Sequence, residues 1–221
     1  MSKNKNNNEA EVKVEEALSK TEKFFETYKK HFIYSILAIV VAIALGFAYH
    51  QFISLPKQQD AMAQTFTAEQ YFRADDFEKA LNGDGSALGF KQIISDYGSN
   101  AGEAIYFYAG VCELQLGKYN EAIDYLKKYK SGDKIISARA LCCIGDAYAG
   151  LNNLNEAVNY FKKAADLSDD IFSASYLLKA GIIYEEMGDK AKALQMYEDI
   201  KAKYPQSVEG YEINKYISRL K

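Results

Sequence analysis

The chain has 221 residues, of which 26% are Asp, Glu, Lys or Arg, and a net charge of −3. That balance excludes a strongly basic nucleic-acid-binding surface, and the length allows one sizeable core plus appendages. Two Pro, no Trp, 18 Tyr and 12 Phe suit a nearly all-helical chain, because Pro breaks helix interiors.

Residues 1–8 (MSKNKNNN) hold no apolar residue beyond the initiator, which predicts disorder. Over 9–30 the spacing predicts a helix: Val14, Leu18, Thr21, Phe25, Tyr28 and Phe32 recur at intervals of 4, 3, 4, 3 and 4. Such a stripe serves either a two-heptad coiled coil or, more simply, a helix lying on the membrane or leading into it. Residues 32–49 are 18 consecutive residues without a charge, and Phe52 and Ile53 extend them. At a rise of about 1.5 Å per residue this crosses roughly 27 Å, so a transmembrane helix is expected over 32–53. The 31-residue lead argues for an uncleaved anchor rather than a signal peptide. Lys20, Lys23, Lys29 and Lys30 precede the span closely, against Lys57 alone after it. Residues 1–31 are therefore expected in the cytoplasm and the rest outside it.

From Ala61 onwards the chain repeats itself. Gly110, Gly145 and Gly181 stand 35 and 36 residues apart. Gly145 is followed by Tyr148, Ala157 and Phe161, Gly181 by Tyr184, Ala193 and Tyr197, and Gly110 by Ala122 and Leu126. Ala68 opens a weaker copy with Tyr71, Asp75, Phe77 and Ala80. Each unit reads as two antiparallel helices, with small residues where they approach closely. The turns 116–119 (LGKY), 151–154 (LNNL) and 187–190 (MGDK) place Gly or Asn second, where a helix ends in the left-handed conformation. The first helix is expected over 58–74, after Pro56, followed by an insertion at 81–89. In that insertion Asn82, Asp84 and Ser86 alternate like calcium ligands, but Ala87 and Ile93 stand where Gly and Glu are required. It is read as a turn, with Ser86 capping the next helix. Residues 206–221 form a last helix with Ser207 as cap and Ile213 and Ile217 on its apolar side, as a solenoid end requires.

The small, small and aromatic residues of this frame resemble the tetratricopeptide repeat. The resemblance implies an all-α solenoid of about four helix pairs over 58–205, a C-terminal capping helix and, ahead of them, the transmembrane helix. The stretch EKFFETYKK (22–30), the single span and the exported repeats together resemble the membrane-anchored periplasmic YfgM-type family. That second resemblance implies the bacterial inner membrane. It also implies partners among exported polypeptides, translocon subunits and periplasmic chaperones.

Catalytic chemistry finds little support. His31 and His50 flank the span, so no histidine is left for a catalytic pair in the repeats. GDGSALG (83–89) lacks the Lys of a phosphate loop, and no cofactor or metal motif appears. The pairs Asp75-Asp76, Asp169-Asp170 and Glu185-Glu186 read as solvated helix ends or faces. A non-enzyme is expected. In arrays of this kind the first helices line a groove. By frame it should show Phe107, Val111 and Leu114, then Arg139, Cys142 and Asp146, then Leu178, Ile182 and Glu185. Packing between neighbouring helices is an equal alternative for any one of the apolar members. Cys112 and Cys142 lie where neighbouring first helices can bring them face to face, making them disulfide candidates in an exported domain. The alternative, favoured here, is that Cys112, Cys142 and Cys143 are small apolar fillers. The expected function is protein binding beside the translocon or with chaperones. A scaffold in another envelope complex, or a non-catalytic subunit of a membrane enzyme, is the alternative.

Overall fold

A computed structural model describes residues 27–221. The tail expected to be disordered over 1–8 and the stripe of Val14, Leu18, Thr21 and Phe25 lie outside the described residues. The chain divides into two compact units, Met1–Pro56 and Lys57–Lys221.

In the first unit, α1 (27–49) carries exposed apolar side chains along its length, among them Ile33, Leu37, Val40 and Phe47. The described residues hold one helix long and apolar enough to cross a membrane, Thr27–Arg73. Pro56, expected to precede the first array helix, falls inside α2 (Leu55–Arg73), just after a π-helical turn at His50–Ser54. Proline lacks an N–H and crowds the carbonyl four residues back. Here the N–H of Leu55 reaches five residues back to the His50 carbonyl, a wider turn that admits the ring.

The second unit is a row of antiparallel helix pairs. After α2 come α3 (Phe77–Asn82), α4 (Phe90–Tyr97), α5 (Ala104–Gln115), α6 (Tyr119–Lys128), α7 (Lys134–Gly150), α8 (Leu154–Ser168), α9 (Ser173–Glu186), α10 (Lys190–Lys203) and α11 (Val208–Leu220). The anchor glycines set the pairing distance. A methyl added at Gly110 would lie 2.6 Å from Leu126 Cγ, and one at Gly145 2.6 Å from Phe161 Cε1; Gly181 meets Tyr197 in the same way. Each anchor thus accepts the large side chain sixteen residues later in its own unit.

The turns repeat as faithfully. Asp75, Gly117, Asn152 and Gly188 have φ of 56°, 73°, 58° and 79°. The next residue in each turn sends its N–H back across the helix end: Asp76 to the Tyr71 carbonyl, Lys118 to Glu113, Asn153 to Tyr148 and Asp189 to Tyr184, at 2.8–3.0 Å. This closes the orphan carbonyls of the first helix. Asp76, Asn153 and Asp189 then cap the second helix by accepting the N–H groups of Lys79, Glu156 and Lys192.

The first unit of the row departs from the others, and the expected cap at Ser86 needs correcting. Its second helix is split into α3 and α4, and α4 begins at Phe90, with Gly89 at the cap position and no side-chain cap. Asp84 organises the insertion instead, accepting the N–H groups of Ser86 and Ala87, both at 2.8 Å, and the Tyr71 hydroxyl at 2.5 Å. Any side chain at Gly89 would collide with the Leu81 carbonyl and the Gly83 backbone.

Apolar side chains gather in successive clusters along the row. Leu81, Phe90, Ile93 and Ile105 fill the first, where the rings of Phe72 and Tyr108 meet edge-on at 5.0 Å. The last holds Phe161, Tyr197, Ile200, Ile213 and Ile217, so α11 is packed into the core it closes. Buried among them is one carboxylate, Glu113, which the frame gave no reason to expect.

The close approach has a direct test. Gly145→Ala drives a methyl into a Phe161 ring that is itself 1% exposed and cannot swing aside. The expected cost is about 1–3 kcal/mol, read as a lower midpoint in thermal unfolding. Gly132→Ala, with open space around its added methyl, serves as the neutral comparison.

Candidate binding cleft

The first helices of successive pairs line one cleft of about 650 Å³. From α5 come Phe107, Val111 and Leu114, and from α7 come Ile136, Arg139, Cys142 and Asp146. Phe172, Ser175, Tyr176 and Lys179 close it from the α9 side, and Phe72 and Tyr129 complete the wall. Phe107 and Tyr129 hold each other at 5.7 Å between ring centres. The walls are thus mainly aromatic and aliphatic.

The expectation for α9 was out of phase. Leu178 is partly buried against the core, and Ile182, 43% exposed, lies outside the cleft. Glu185 is neither a groove residue nor a solvated charge. It accepts the Tyr197 hydroxyl at 2.5 Å and pairs with Arg219 at 2.6 Å, tying α9 to α10 and α11. The frame contained the correct answer: 36 residues after Arg139 and Cys143 stand Ser175 and Lys179, which do line the cleft. The apolar residues of α9 mislead here: Leu178 packs against the core and Ile182 is exposed away from the cleft.

Three charges lie in the cleft. Lys179 Nζ reaches both oxygens of Asp146, at 2.6 and 2.7 Å, bridging α7 and α9. Arg139, on the helix between the two walls, is exposed and makes no hydrogen bond or ion pair with any described residue. The cleft therefore carries one uncompensated positive charge.

The three cysteines are free. Cys112 and Cys142 sit in separate core clusters rather than joined to each other. Burial pushes the Cys112 and Cys142 thiols up to about 12, with the neighbouring Glu113 and Asp146 charges adding to it. Cys143, half-buried, is pushed up to about 11 by the same causes. All three are thiols, not thiolates, at neutral pH, which suits filler better than nucleophile. Among the described residues no group of three or more His, Cys, Asp or Glu is placed to hold a metal ion.

With the geometry in view, comparison with known proteins places the units. Profiles of the tetratricopeptide repeat match residues 104–131 and 136–206. Over these stretches the helix pairs are similar to tetratricopeptide repeats. Two crystal structures of MamA are similar to the chain, each at 22% identity. They cover 72% and 69% of it and 85% and 91% of themselves, with TM-scores of 0.54 and 0.52. A Podosopora anserina structure, described as putative kinesin light chain tetratricopeptide-like repeats, matches at 13% identity with a TM-score of 0.55. It covers 74% of this chain and 85% of its own. At such identities the likeness is one of fold. No curated protein matches the sequence. Tetratricopeptide arrays are protein–protein interaction modules, and the cleft lies between the first helices of the matched pairs.

Proposed function

We propose that this protein is a membrane-anchored, non-catalytic interaction module. Its repeats lie outside the cytoplasm at the bacterial inner membrane and assist protein translocation or periplasmic chaperoning. The observation that carries the reading is the cleft, whose Phe107, Val111, Ile136 and Phe172 offer an apolar track across three first helices. The lysine asymmetry about residues 32–53 supports the orientation, and the YfgM-type resemblance supports the setting. Anchoring concentrates a weak binder beside emerging chains or a membrane complex without any need for tight contacts.

In-cell crosslinking tests it. A photoreactive residue at Val111 is expected to capture translocon or chaperone subunits, or exported chains, while one at Lys163 on α8 is not. Capture of a different envelope complex at Val111 would keep the interaction module and discard the translocation setting. Capture at Lys163 alone would move the interface away from the cleft.

A further inference from the structure

The charge left over in the cleft says more about the occupant than its apolar walls do. Asp146 is the one acidic residue on the lining, and both its oxygens are already engaged by Lys179. That leaves Arg139 exposed, with no partner among the described residues, in a chain whose net charge is −3. Its position matters as much as its charge. Arg139 belongs to α7, the middle helix, with Phe107 and Val111 of α5 on one side and Phe172 and Tyr176 on the other. Apolar surface therefore flanks the guanidinium in both directions.

We propose that the cleft selects an extended polypeptide segment in which one internal Asp or Glu side chain lies between apolar or aromatic residues, the carboxylate pairing with Arg139. The proposal rests on the protein-binding reading of the cleft and names the chemistry of its partner. A planar guanidinium takes a carboxylate through two parallel N–H donors, and aromatic walls that exclude water strengthen that contact. A chain terminus suits the site less well. It would leave one apolar wall empty, and the lone guanidinium brings no neighbouring donors to surround a terminal carboxylate. Lys179 is not a competing anchor, since drawing it to a ligand would break its bridge to Asp146.

The test uses the full chain in detergent micelles and fluorescence anisotropy with three labelled peptides. Two are acetylated and amidated at their ends and alternate Phe and Leu around a central Glu or, in the twin, Gln; the third is the Gln peptide with a free C-terminus. The Glu peptide is expected to bind about tenfold more tightly, the scale of one charge-assisted pair. Arg139→Gln should bring the two peptides level, and Arg139→Lys should restore only part of the preference because the fork geometry is lost. Equal binding of both peptides, unaffected by Arg139→Gln, overturns the carboxylate selection and leaves the apolar cleft standing. Failure of both peptides to bind overturns the selection and the cleft reading together. An Arg139-dependent preference for the Gln peptide with a free C-terminus, over the amidated Glu peptide, overturns the internal-carboxylate assignment.

Discussion

Lys91→Met is expected to cost the repeat domain about 3 kcal/mol, although Lys91 itself sits at the surface. Its ammonium lies 2.6 Å from Oε1 of Glu113, whose side chain has no exposure at all. Lys118 stands further off, at 4.0 Å from Oε2. Neither carboxylate oxygen accepts a well-aligned hydrogen bond, so Glu113 depends on proximity of charge rather than on directed donors. Removing Lys91 leaves a buried carboxylate whose nearest cation is the distant Lys118. The cost stays at the low end of that for broken buried pairs, because Lys91 is about one-third exposed and water can follow it in. Urea unfolding reads the loss as a lower midpoint with an unchanged slope. The double substitution Lys91→Met with Glu113→Leu should return most of the stability, since removing both charges removes the desolvation cost as well. A double variant as weak as the single one would mean that packing, not the stranded charge, is responsible.

Truncation before α11 should be at least as damaging. Ile213 is fully buried and Ile217 nearly so, both against α9 and α10. Losing two such side chains costs about 3–6 kcal/mol by burial alone. The truncation also removes Arg219 from Glu185 and strips Tyr216 from beside the Tyr197 ring. A melting point several degrees lower is expected, together with early proteolysis in α10, which would become the new edge. An unchanged melting point would show that α11 is an accessory to the array and not its closing face.

The array was legible in the sequence because its packing demands specific sizes at specific places. Gly110, Gly145 and Gly181 must be small because Leu126, Phe161 and Tyr197 occupy the space beside them. Asp75, Gly117, Asn152 and Gly188 must tolerate a left-handed turn. These are local requirements at fixed spacing, so they survive as a repeating pattern. The cleft was legible on α5 and α7 but not on α9. There the residues with groove-like apolarity, Leu178 and Ile182, face elsewhere, and the polar Ser175 and Lys179 line it. Apolarity alone does not separate a surface that binds from one that packs. Glu113 escaped notice for a different reason. Its partner Lys91 lies 22 residues away on another helix, and nothing on α5 marks the carboxylate as buried. The cap of α4 failed because the helix starts only at Phe90, four residues beyond Ser86, whose hydroxyl donates to Asp84 instead.

The row of helix pairs also has a kinetic consequence. Substantial contacts in it join helices no more than two apart in the chain order. Contacts that close only short loops require little search, which makes for rapid assembly. Such a chain need not wait for its last residue before packing its first. Pair by pair, it can fold in the direction in which it is delivered, each new pair using the preceding one as its template. A polypeptide passed end-first through a narrow pore meets that condition, because at every moment only the newest unfinished pair exposes apolar surface.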